Sequence, residues 1–205
     1  MEFIKDAIEV AVPLAGVVVS LVGTYVALSG LKTWKKQLKW KEDHQLAKDI
    51  LINLTKYHNA INQVRSPAIF SYEKTDPPED IKGSLSEEQI EYLKYKSVYT
   101  ERLKLSSQYH NELLALGIEA DAIWQNDTTK LLKKLFELEY SLVIAIRSHL
   151  LTMNPNIDKS MRDYYVGISP ETDKIVYSGV DADDTFHDDF ETYKSEIINM
   201  IKNKL

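Results

Sequence analysis

The chain contains no cysteine. That excludes a disulfide framework and thiolate chemistry. It agrees with a reducing compartment but fits any other. Glycine is scarce, with seven in 205 residues, most of them in one apolar run or at turns. That favours helices over a turn-rich β fold. A cationic surplus is missing too. The net charge is −6, and no basic stripe lies outside one short collar, so nucleic acid is not an expected partner. There is no phosphate-binding loop, dinucleotide fingerprint or serine elbow. His44, His58, His110, His149 and His187 are scattered, and none forms a His-x-x-x-His pair on one helix face. No repeat or low-complexity tract is present. The composition therefore offers no motif for an enzyme, and no cofactor is expected.

What is present is a long uncharged run from Val10 to Leu31. A helix crosses the hydrocarbon core with about 20 apolar residues. A helix in a soluble bundle keeps a polar stripe, and this run has none. Its polar side chains are Ser20, Thr24, Tyr25 and Ser29, and the small hydroxyls bond back to their own helix. Pro13 stands near the start, where a helix tolerates it. A cleaved signal peptide is disfavoured, because the opening carries Glu2, Asp6 and Glu9 against Lys5, and Ala27-Leu28-Ser29 is a poor cleavage site. The expectation is a retained transmembrane helix within residues 1–31, followed by a cytoplasmic helical domain over 32–205. Lys32, Lys35, Lys36, Lys39 and Lys41 follow the run, against one lysine before it. Positive residues stay in the cytoplasm, so the N-terminus is expected outside. Lys32, Trp34, Lys35, Lys36, Lys39 and Trp40 are read as the membrane interface, with lipid headgroups as partners. Gly16, Ser20 and Thr24 are four apart, as are Gly23 and Ala27. Small residues at that spacing allow two helices to approach closely in lipid, which makes homo-oligomerisation through the span an expectation.

Beyond the collar the pattern is helical. Leu46, Ile50, Leu54, Tyr57, Ile61 and Val64 form one apolar face, continuing a single long helix to Ser66-Pro67. Residues 68–83 read as a loop. Ser84 or Ser86, followed by glutamates, starts a helix ending at Gly117, and Ser84-Leu85-Ser86-Glu87 fits a capping box. A further helix spans residues 119–153, broken near Asn126-Asp127, with Leu132, Leu135, Leu142 and Ile146 on its buried face. Its apolar stretch 141–146 is too closely bracketed by Glu137, Glu139 and Arg147 for a second span and reads as the central core helix. Residues 166–178 are expected to pair as a short β-hairpin around Pro170-Glu171-Thr172-Asp173. Asp183 or Asp184 caps a last helix with Phe186, Phe190, Tyr193 and Ile197 on its face. The fold class is all-α, with that hairpin as an addition.

Trp34-Lys35-Lys36-Gln37-Leu38, Leu46-Ala47-Lys48-Asp49-Ile50-Leu51 and Val64-Arg65-Ser66-Pro67 resemble the opening of uncharacterised bacterial proteins with one N-terminal span and a helical cytoplasmic domain. The resemblance covers about the first third of the chain. It implies the bacterial inner membrane and brings no catalytic motif. Some small membrane-anchored bacterial proteins of this build act as phage-defence effectors, an analogy of architecture alone.

The acidic run around Asp181, Asp183, His187 and Asp188 suggests a cation loop, but Phe186 replaces the glycine and Thr192 the glutamate of an EF-hand. Carboxylates at a helix N-terminus favour the macrodipole, and that reading is preferred. The tyrosines at 92, 95, 99, 164 and 165 read as the edge of a core. The functional expectation is a membrane-anchored, non-enzymatic interaction or effector module with a cytoplasmic protein partner, self-associating to perturb the membrane in its sharper form. The alternatives are a membrane-tethered enzyme or metal-binding protein using residues 181–191, and a passive tether.

Overall fold

The computed structural model describes residues 2–179 and 183–205, with side chains from Ser20 onward. The helices are α1 (Glu2–Val64), α2 (Glu79–Lys82), α3 (Glu87–Trp124), α4 (Thr128–Thr152), α5 (Lys159–Val176) and α6 (Thr185–Ile201). The chain divides into two compact units, one running to Gln45 and the other beginning at Leu46.

In the first unit α1 is uninterrupted. Thr24 Oγ1 donates to the Ser20 carbonyl at 2.9 Å and Thr33 Oγ1 to that of Ser29 at 3.0 Å, so these hydroxyls are satisfied within their own helix. Leu21, Val22, Tyr25, Val26, Leu28, Leu31, Trp34, Leu38 and Trp40 are exposed. Among the described residues, no helix is long and apolar enough to cross a membrane. The expected span lies partly outside that set, since the side chains of residues 10–19 are not in it.

In the second unit the apolar face expected on α1 is the core. Leu46, Ile50, Leu54, Tyr57, Ile61 and Val64 are all buried. They share it with Leu132, Leu135, Leu142 and Ile146 of α4 and with Phe186, Phe190, Ile197 and Ile201 of α6. Helix α4 packs on α3, α5 and α6, as its apolar stretch required.

Three sequence expectations are corrected. No strand occurs among the described residues, and the segment read as a hairpin lies mostly inside α5. Asp158 caps that helix, accepting from the Met161 N–H at 3.1 Å. Pro170 costs one N–H without ending it. Tyr165, Ile168 and Thr172, spaced by three or four, are half-buried, and Val176 at the end of the same stripe is buried. That period outweighs the short alternation read as strand. Gly117 does not stop α3, which runs on to Trp124 and ends at Gln125 with φ of 52°. The glycine instead allows close packing: a Cβ there would lie 2.5 Å from Leu132 Cδ1. The cap of α3 is Ser86, whose Oγ accepts from Gln89 N while the Gln89 side chain accepts from Ser86 N. Of the two serines expected to start the helix it is Ser86, and the box runs from Ser86 to Gln89 rather than from Ser84 to Glu87.

Candidate functional site

The residues expected at the membrane interface, Lys32, Trp34, Lys35, Lys36, Lys39 and Trp40, are all exposed on α1. Trp40 stacks on His44 with centroids 5.3 Å apart. Of the expected self-association positions, Ser20, Gly23, Thr24 and Ala27 are exposed, a Cβ at Gly23 would meet nothing within 4 Å, and Gly16 lies outside the described side chains.

The acidic segment does not form the cation loop considered above. Asp181 lies outside the described residues, and Asp183 and Asp188 are exposed. Asp184 caps α6, accepting from His187 N at 3.0 Å. His187 does join one cluster with His58 and Glu191, their ligand-type atoms within 4.8 Å of one another. The His187-x-x-x-Glu191 spacing on one helix face was legible in the sequence, but the approach of His58 from α1 was not. The cluster already has a cation. Lys194 Nζ lies 2.7 Å from Glu191 Oε1 and 3.3 Å from His58 Nδ1, and His58 Nε2 lies 3.0 Å from Glu191. Burial, then the Lys194 charge, hold the imidazole of His58 below its ordinary pKa. The bond from Lys194, only partly opposed by burial, holds the Glu191 carboxyl below its own. The three groups form a self-satisfied ion-pair network.

Two buried arginines act as clasps. Arg65, 1% exposed, donates to the carbonyls of Lys174, Ile175 and Tyr177 and to Asp184 Oδ1 at 2.8–3.2 Å. Its guanidinium lies 4.3 Å from the centre of the Phe186 ring. It ties the last carbonyls of α5, which no helical N–H can reach, to the cap of α6. Arg102 forks onto Glu73 at 2.7 and 2.9 Å and donates to the carbonyls of Ser66 and Ala68, fixing the loop after α1. Arg102 bonds through all three of its nitrogens and Arg65 through Nε and Nη2, and both are structural.

A third arrangement has the order of a proton relay. His149 Nδ1 lies 3.1 Å from Asp173 Oδ1, Tyr177 Oη 2.9 Å from His149 Nε2, and Tyr95 Oη 3.4 Å from Tyr177 Oη. Burial, then the bond to Tyr95, raise the Tyr177 pKa. A phenol held protonated is a donor rather than a nucleophile, so the chain of bonds latches α5 to α3 and α4.

The remaining arrangement faces a cavity. Glu139 of α4, 7% exposed, accepts from Tyr57 Oη of α1 at 3.1 Å, Ser106 Oγ of α3 at 2.9 Å and His110 Nδ1 of α3 at 2.6 Å. Burial, then the charge of Glu139, raise the Tyr57 pKa, which keeps that phenol a donor. The His110 ring stacks on Phe136 at 3.7 Å. Nε2 has no hydrogen-bond partner among the described residues, and the ring lines a cleft of about 440 Å³. Sequence reading set Glu139 down as a charge bracketing an apolar stretch. The i, i+4 pair Ser106 and His110, which places a hydroxyl and an imidazole on one face of α3, was the signal available. The carboxylate that joins them comes from another helix. Ser106 bonds to Glu139 and not to His110, so the trio lacks the Ser–His–acid order of a nucleophilic triad. The sequence matches no family model and no curated protein, and the fold matches no solved structure.

Proposed function

We propose that the protein is a single-span membrane-anchored module whose helical domain, held at the inner membrane surface, acts by binding a protein partner. The carrying observation is the uncharged Val10–Leu31 run set in one uninterrupted helix and followed at once by five lysines and two tryptophans. Apolar side chains from Leu21 to Leu31 point into open space. In water that surface carries a hydrophobic cost of about 25 cal/mol per Å², which lipid removes. Hydroxyls that bond within their own helix leave little polar surface for the bilayer to exclude. Self-association through Gly16, Ser20, Gly23, Thr24 and Ala27 is the sharper form, favoured by the exposure of the last four.

The test compares the full chain with a chain beginning at Leu46. The full chain is expected in the membrane pellet after alkaline carbonate extraction, and the shorter one in the supernatant. Release of the full chain by carbonate removes the anchor from the proposal. A membrane-potential dye separates the two forms. Depolarisation that needs residues 10–31 supports span assembly, while an unchanged potential leaves the tethered binding module.

A further inference from the structure

The cleft over Glu139 joins apolar walls to polar and cationic groups. Three donors converge on the two oxygens of its carboxylate. The charged groups left over are the cations Lys104 and Arg147. Arg147 is exposed and forms no ion pair among the described residues, and the same holds for hydrogen bonding at the hydroxyls of Ser107 and Tyr140. Lys104 on the rim reaches only the exposed Glu101, at 3.4 Å. His110 Nε2 is unspent, and the bond from Nδ1–H to Glu139 fixes the ring, as a carboxylate does for an imidazole elsewhere. Phe136, Val143 and the ring of Tyr140 supply the apolar surface. A volume of about 440 Å³ lies within the roughly 300–1,000 Å³ of small-molecule sites.

We propose that this cleft binds a small organic anion with a flat apolar body, its carboxylate or phosphate head held by Arg147 and by the imidazolium form of His110, which carries Nε2–H as well as the Nδ1–H bonded to Glu139. Arg147 and the imidazolium of His110 are cationic donors and favour an anion. The stacked His110–Phe136 pair and Tyr140 select an aromatic or similarly flat body. Glu139 is a positioning residue that sets the imidazole without touching the ligand. The inference goes beyond the anchored module and does not depend on it.

The full chain in detergent is titrated with 2-naphthoate, followed by the ligand's fluorescence anisotropy and by the side-chain nitrogen resonances of His110. Saturable binding that shifts His110 is expected. Arg147→Gln, a surface change that leaves the core alone, is expected to weaken it about tenfold, the worth of one charge-assisted hydrogen bond. His110→Gln is expected to weaken it at least as much. Partition into micelles is the same for every variant, so these differences report the cleft. Equal affinity for neutral 2-naphthalenemethanol overturns the proposal, as does an R147Q titration indistinguishable from the parent or a silent His110. Competition by phenyl phosphate but not by phosphatidic acid supports a free anion. The reverse overturns it in favour of a lipid headgroup.

Discussion

Replacing Arg65 by methionine tests the clasp between the ends of α1, α5 and α6. Methionine keeps the apolar stem but loses every donor. Four bonds of 2.8–3.2 Å disappear together, leaving the carbonyls of Lys174, Ile175 and Tyr177 and the carboxylate of Asp184 without their donor. Removing one partner of a buried ion pair costs roughly 3–5 kcal/mol. The Asp184 side chain is 17% exposed, so water reaches it in part, and its carboxyl still accepts from His187 N. The lower end applies, about 3 kcal/mol. For a chain of this size that is a fall in Tm of roughly 6–12 °C, read by circular dichroism on the full chain in mild detergent. The acid limb changes too. Burial works to raise the Asp184 pKa, but the Arg65 bond, the His187 N–H and the Arg65 charge together outweigh it and leave the pKa below the ordinary value. The stability this gives is present above the ordinary carboxylate range and is lost as pH falls through the depressed value. Arg65→Met is expected to shrink that loss. Arg65→Lys, which keeps the charge without the fork, is expected to fall between the two. A loss below about 1 kcal/mol would show that water replaces the guanidinium at all four acceptors and would refute the clasp.

Gly117→Ala is expected to destabilise by about 1 kcal/mol in a urea melt. The helix gains about 1 kcal/mol of intrinsic propensity, but the new Cβ displaces the fully buried Leu132 at an overpacking cost of roughly 1–3 kcal/mol. A stabilised variant would mean that α3 and α4 separate without cost. In the His58–His187–Glu191 cluster Lys194 stands where a metal would, so added Zn²⁺ is expected to leave the Tm of the parent chain unchanged. Lys194→Ala is expected to create a Zn²⁺-dependent rise in Tm, which His187→Ala abolishes. Equal Zn²⁺ stabilisation of parent and variant would show that the lysine is no barrier.

The apolar period of α1 from Leu46 to Val64 and that of α4 from Leu132 to Ile146 were legible because a helix face repeats every three to four residues, and burial follows that repeat. The last helix was legible from Phe186, Phe190 and Ile197 for the same reason. Residues 166–178 were misread because pieces of four and five residues fit either period, and packing of Val176 into the core decided between them. Gly117 was misread because a glycine inside a helix and one ending it look alike until a neighbouring helix lies against it. The buried arginines could not be foreseen, since nothing local distinguishes Arg65 or Arg102 from a surface arginine. By itself the sequence determined α1, α3, α4 and α6, their core stripes and the uncharged run, all of which depend on spacing along one chain. Only the tertiary structure decided that Tyr57, Ser106, His110 and Glu139 converge, because a buried carboxylate needs donors, and here they come from helices separated by tens of residues.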